Sequence, residues 1–209
     1  MEAELTRSTS TRSAVRLYVD PVCPFAWITS RWLREVTGVR PVDAELRLMS
    51  LSVLNEHREL EDWYRAFNDR AWGPARVAAV VQRDHPQAFS AFYDAFGQRR
   101  HPGAQRDDAA LLAAALAEAG LPAQLADAAA DTTLDPLLRA ANAEVEALVG
   151  EESGTPVVVV DGAAFFGPVS TAILRGEDAG RVFDAVRTLA AHPDVTELKR
   201  ARTRALSFA

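Results

Sequence analysis

The sequence predicts an α/β fold of order β-α-β … β-β-α with a large all-helical insertion. Three observations predict it. Strand-like runs occur only towards the two ends of the 209 residues. The stretch over residues 55–150 is Ala-rich and punctuated by helix start and stop signals. Near the end, Asp161-Gly162 separates two short strand-like runs, and a type I′ turn needs positive φ at both of its central positions.

Residues 15–19 are β-branched and weakly alternating, which predicts the first strand. Asp20-Pro21-Val22-Cys23-Pro24 breaks it, and Pro24 suits the first turn of a helix, where its missing N–H is not needed. Residues 25–36 follow a helical pattern with Trp32, Leu33 and Val36 on one face, and Gly38 is the expected stop. Residues 44–51 alternate and predict the second strand. In the insertion, Asp107 is the expected N-cap of a helix closed by Gly120 and Pro122. Asp135-Pro136 opens another helix, with Gly150 as its cap. Trp63, Tyr64 and Phe67 share one helical face, as do Phe89, Phe92 and Phe96, and the aromatic residues there are expected to be core. Residues 156–160 are a buried-strand run, residues 163–166 pair back, and residues 177–190 form an amphipathic helix. The expected division is a disordered tail over 1–14, an α/β domain from 15–54 with 151–193, the helical insertion 55–150, and a surface tail 194–209.

Hydrophobic residues at 48% and charged residues at 25% describe an ordinary globular chain. The net charge of −6 argues against a nucleic-acid partner, which calls for a basic face. No apolar run approaches the ~18 residues of a membrane span, and residues 1–14 lack the apolar stretch of a signal peptide. The single cysteine forbids an internal disulfide and fits a reducing, cytoplasmic setting.

Cys23 is the residue with chemistry. It follows a strand and opens a helix, where backbone N–H groups and the helix dipole favour thiolate over thiol. A thiol pKa below the usual value is therefore expected. The alternative is a buried packing cysteine, for which a strand-to-helix corner followed by proline is a poor position. Gly154-Thr155-Pro156 precedes the valine run. Proline is tolerated as the first residue of a strand, and a cis Thr155–Pro156 bond would turn the backbone groups of Thr155 towards a ligand. His57, His85, His101 and His192 are scattered without metal-ligand spacing and are expected at the surface. Trp27 and Trp32 are expected in the core, with Trp27 as a candidate for the substrate site. The basic run Lys199-Arg200-Ala201-Arg202-Thr203-Arg204 reads as a solvated surface, or as an attractor of an anionic substrate.

Cys23-Pro24-Phe25-Ala26, a helical insertion and Thr155-Pro156 before a hairpin resemble the DsbA-like branch of the thioredoxin superfamily. Within it, the chain resembles the mycothiol-dependent nitroreductases of actinobacteria. The resemblance rests on Asp20-Pro21-Val22-Cys23-Pro24, Ala26-Trp27-Ile28-Thr29-Ser30-Arg31-Trp32, Met49-Ser50-Leu51 and Ala71-Trp72-Gly73-Pro74. It continues through Gly154-Thr155-Pro156, Phe165-Phe166-Gly167-Pro168 and Glu197-Leu198-Lys199-Arg200. It implies a thioredoxin fold and an oxidoreductase with Cys23 as nucleophile. Pro24, Phe25, Ala26, Trp27, Thr155 and Pro156 would form the substrate site. It implies mycothiol or a similar small thiol as cosubstrate, with no tightly bound cofactor and no metal. The expected partners are that thiol and a disulfide or electrophilic substrate, with a second copy of the chain as a further candidate. Dithiol members have cysteine where this chain has Ala26, so the expected enzyme is monothiol. A thiol-dependent transferase or isomerase of the kappa and chromene-carboxylate type, and a non-catalytic binding module, remain as alternatives.

Overall fold

A computed structural model describes residues 12–209. Most of the expected N-terminal tail therefore lies outside the described residues. Ser13 and Ala14, placed in that tail by the sequence, belong to the first strand.

The sheet is formed by β1 (Ser13–Val19), β2 (Val42–Leu48), β3 (Val157–Val160) and β4 (Ala163–Phe166) in the order β2-β1-β3-β4. β1 runs parallel to β2, from Ser13 opposite Val42 to Val19 opposite Leu48. β3 is antiparallel to β1 and to β4. The Asp161-Gly162 turn has the two positive φ values, 51° and 93°, that its sequence requires. α1 (Pro24–Val39) links the parallel pair, as such a crossover must. It overruns Gly38 and ends where the Arg40 N–H bonds Val36 O at 2.8 Å.

Strand alternation divides the core. Val15, Leu17 and Val19 of β1 face the cluster containing Trp32, Leu33 and Val36 of α1 and Phe183 of α7 (Gly176–Ala190). Tyr18, Val157 and Val159 face the other way, onto Met49 and Val145. Both faces of β3 are thus covered, which is why its sequence is an unbroken valine run. The Trp32 indole N–H donates to Ala179 O at 3.1 Å and ties α1 to α7.

Between β2 and β3 the described chain has no strand. It forms α2 (Leu51–Leu54), α3 (Asp62–Asp84), α4 (Phe89–Arg100), α5 (Asp108–Glu118) and α6 (Asp135–Val149), with short 3₁₀ turns between. Asp107 caps α5 by accepting from Ala110 N at 3.1 Å. The block is not a separate globule, because Phe89, Phe92, Tyr93 and Phe96 of α4 join the cluster that contains Trp27 of α1. Complete burial of each such ring contributes up to about 3 kcal/mol. Trp63 departs from expectation: it is 68% exposed and rests on Tyr64 at the surface. His101, expected outside, is 8% exposed. The 194–209 tail is exposed along most of its length, as expected, except that Phe208 packs against the main core.

Candidate functional site around Cys23

The corner between β1 and α1 is built by Asp20. Its carboxylate accepts from Val22 N and from Leu51 N, both at 2.7 Å, and its carbonyl accepts from Cys23 N at 3.1 Å. The chain therefore turns tightly after β1 and is fastened to the start of α2. Cys23 becomes the N-cap of α1, with Pro24 in the first helical turn. Its Sγ accepts from Ala26 N at 3.4 Å, so sulfur fills the role usually taken by a hydroxyl or carboxylate oxygen.

The second half of the corner arrives from the far end of the chain. The Thr155–Pro156 bond is cis, and Cys23 Sγ lies 3.6 Å from Thr155 O, towards which the thiol points. Thr155 Oγ1 donates to Tyr18 O at 3.4 Å, and Pro156 O accepts from Gly167 N at 2.8 Å. The Gly167–Pro168 bond is also cis, and Pro168 O accepts from Thr29 of α1 at 2.8 Å.

Burial decides the electrostatics. Cys23 is 4% exposed, and desolvation pushes its thiol up to about 12. The N–H groups of Ala26 and Phe25 act against this, and the Asp20 carboxylate reinforces it. The expected lowering of the thiol pKa is therefore overturned, because desolvation outweighs the helix N-terminus. Asp20 is itself raised to about 6 by complete burial, opposed by its bonds from Leu51 and Val22 and by Arg100. His101 is lowered to about 4 by burial, against its contact with Pro21 O at 3.1 Å.

Of the residues singled out in the sequence, Cys23, Ala26, Thr155 and Pro156 meet at the corner and are buried, while Pro24 and Phe25 stand half-buried at its edge. Trp27 lies deeper, 1% exposed, between the backbone of Gly97 and the ring of His101, 5.8 Å away centroid to centroid. Arg31 covers its face at 4.2 Å. The space beneath the helical block is thus filled by the protein's own rings. A cleft of about 280 Å³ does open beside α2 and α6, lined by Met49, Val53, His57, Arg58, Asn142 and Ser153, but Cys23 does not line it. Asp20 and His101 are site residues that the sequence does not point to as such. Asp20 alone had a local signal, a carboxylate two residues before Val22 at a strand end.

Residues 22–200 match the family model described as Rv2466c-like, mycothiol-dependent nitroreductase Rv2466c. The chain belongs to that family. It is also 31% identical over 199 residues to the uncharacterized protein Rv2286c of Mycobacterium tuberculosis, covering 91% of this chain and 83% of that one. Among solved structures it resembles the probable DsbA oxidoreductase SCO1869 from Streptomyces coelicolor, with a TM-score of 0.57 and 18% identity over 92% of this chain and 95% of that one. It also resembles the cytosolic disulfide reductase DsbM from Pseudomonas aeruginosa, solved with GSH, with a TM-score of 0.55 and 15% identity over 83% and 98% of the two chains. The fold is therefore the DsbA-like thioredoxin fold. This member of the family has a single cysteine, and no group of side chains suited to a metal occurs among its described residues. No described helix is long and apolar enough to cross a membrane.

Proposed function

We propose that the protein is a monothiol oxidoreductase in which Cys23 exchanges disulfides with a small thiol such as mycothiol, in the cytoplasm. The observation that carries this reading is the placing of Cys23 Sγ between the Ala26 N–H and the carbonyl of Thr155 at a cis-proline. The helix amide is placed to hold the sulfur's charge once water or substrate relieves its desolvation. The Thr155 backbone beside it is a ready partner for an extended substrate. The thiolate attacks one sulfur of a mixed disulfide, expels the other as thiolate, and becomes Cys23–S–S–R. Position 26 carries alanine, so no thiol of the chain can resolve this adduct. A second small thiolate attacks it, leaves as the symmetrical disulfide, and restores Cys23. Nitro reduction at this site would draw both of its electrons from two small thiols, which end as their disulfide.

Intact mass after incubation with mycothiol disulfide tests the reading. The expected result is one added thiol on Cys23, removed by excess mycothiol and absent in Cys23→Ser. Exchange activity that survives in Cys23→Ser would instead support a transferase-type use of the fold.

A further inference from the structure

The last residues of the chain return to the site. Ser207 N donates to Thr171 O at 2.8 Å and forms an isolated parallel bridge with Ala172. This carries Phe208 onto His101, with ring centroids 5.9 Å apart. His101 in turn lies on Trp27 and contacts Pro21 O, two residues before Cys23. Trp27, His101 and Phe208 therefore form a layered set of rings, with Phe208 outermost. Earlier in the same segment, the Arg202 guanidinium sits over Phe25 at 4.9 Å. Between these anchors residues 203–206 are exposed, and Leu198, ahead of both, is 80% exposed. Two side chains of one lightly held strap thus lie on the residues that flank a nucleophile that is 4% exposed.

We propose that Phe208 is a built-in occupant of an aromatic subsite beside Cys23, and that a planar aromatic substrate takes its place when the strap of residues 198–209 lifts. The proposal rests on the oxidoreductase reading above for the use of the subsite, but not for the existence of the strap. It accounts for a nucleophile that is almost wholly buried: lifting the strap readmits water to the sulfur and empties a flat slot next to it. The slot selects by shape, since its floor is an imidazole layered on an indole. Arg202 over Phe25 makes the strap's second contact, so its loss should loosen the closure without touching the slot.

The test reads access and selectivity separately. Iodoacetamide, small and uncharged, reports access to Cys23. With opening and closing faster than reaction, its rate follows the open population, and Phe208→Ala should raise it about tenfold or more. Arg202→Ala, at an exposed contact that cannot endanger folding, should raise it by less. Leu198→Ala should leave it unchanged. Selectivity is read with two neutral disulfides, 2,2′-dithiodipyridine and bis(2-hydroxyethyl) disulfide. Phe208→Ala should accelerate the aromatic one more than the aliphatic one, relative to the unmodified protein. Unchanged alkylation in both the Phe208 and Arg202 variants would overturn the strap. Equal acceleration of the two disulfides would overturn the aromatic subsite. Faster alkylation with no disulfide reacting at all would keep the strap and remove the exchange reading. Disulfides that react, at rates indifferent to position 208 and with alkylation unchanged, would keep the exchange reading and remove the strap.

Discussion

At Cys23 two effects of opposite sign meet. A helix N-terminus stabilises a thiolate by roughly 1 kcal/mol, whereas complete desolvation costs several kcal/mol. Burial wins in the closed state, and the thiol stands near 12. Thiolate absorbance of the native protein should therefore stay flat through the range where an unfolded cysteine ionises, near 8.5. Because the folded pKa is the higher one, stability should fall as pH rises from about 8.5 towards 12, and urea titrations across that range check it. A titration midpoint at or below 8.5 in the native protein would show that the site is open in solution. Asp20 and His101 form a second opposed pair. Asp20, raised to about 6, favours the folded state fully below about 3.9 and loses that contribution as pH rises to 6. His101, lowered to about 4, contributes fully above about 6.5 and loses it as pH falls to 4. Each amounts to about 3 kcal/mol, so the two slopes nearly cancel between pH 4 and 6. Asp20→Asn should weaken the fold, because an amide cannot accept from both Val22 N and Leu51 N. It should also expose the His101 slope, so that stability falls steeply from pH 6.5 to 4. A variant whose profile stays level would mean that His101 titrates without cost.

Between elements, the Trp27 ring of α1 lies tight against the backbone of α4 at Gly97. A Cβ on Gly97 would stand 2.2 Å from Trp27 Cε3 and 2.3 Å from Cζ3. Gly97→Ala must therefore push the indole towards His101 and should cost about 1–3 kcal/mol, read as a lowered thermal midpoint. Within α1, position 26 lies in the first helical turn with its N–H on Cys23 Sγ. Ala26→Cys should give an oxidised form lighter by two hydrogens, and adducts on Cys23 should become short-lived as the neighbouring thiol removes them. A mass unchanged on oxidation would mean that the new side chain packs away from Cys23. These elements were legible in the sequence because their signals are local: Pro24 starting a helix, Asp107 capping one, Asp161-Gly162 turning a strand back. Cys23 and Thr155-Pro156 could be paired only through the family resemblance, since 132 residues separate them. His101 and Phe208 gave no such signal. An isolated histidine beside charged residues reads as surface, and its burial depends on Pro21, 80 residues earlier. Trp63 differs in the other direction: periodicity gives its helix face, but only Tyr64 and Glu61 lie against it and it stays 68% exposed.

Across the molecule, one continuous core joins the helical block to the α/β layer, so the block should unfold with the sheet and not before it. Arg76 is one of its polar fastenings, a bidentate pair with Asp135 at 2.6 and 3.1 Å that also reaches Ala129 O. Both side chains are largely buried, and Arg76→Ala should cost about 3–5 kcal/mol because Asp135 is left without its partner. A single transition seen by both tryptophan fluorescence and circular dichroism checks the shared core, and two separated transitions would contradict it. The alanine at position 26 has a consequence at this scale that concerns stoichiometry. A dithiol closing its own disulfide releases two small thiols for each disulfide consumed, so its oxidised fraction depends on the ratio of disulfide to the square of thiol. A dilute pool therefore oxidises it more than a concentrated one at the same ratio. With one sulfur, each disulfide consumed releases one thiol, and the pool's total concentration cancels from the equilibrium. Occupancy of Cys23 then follows the ratio of oxidised to reduced thiol alone, whether the cell is swollen, shrunken or depleted.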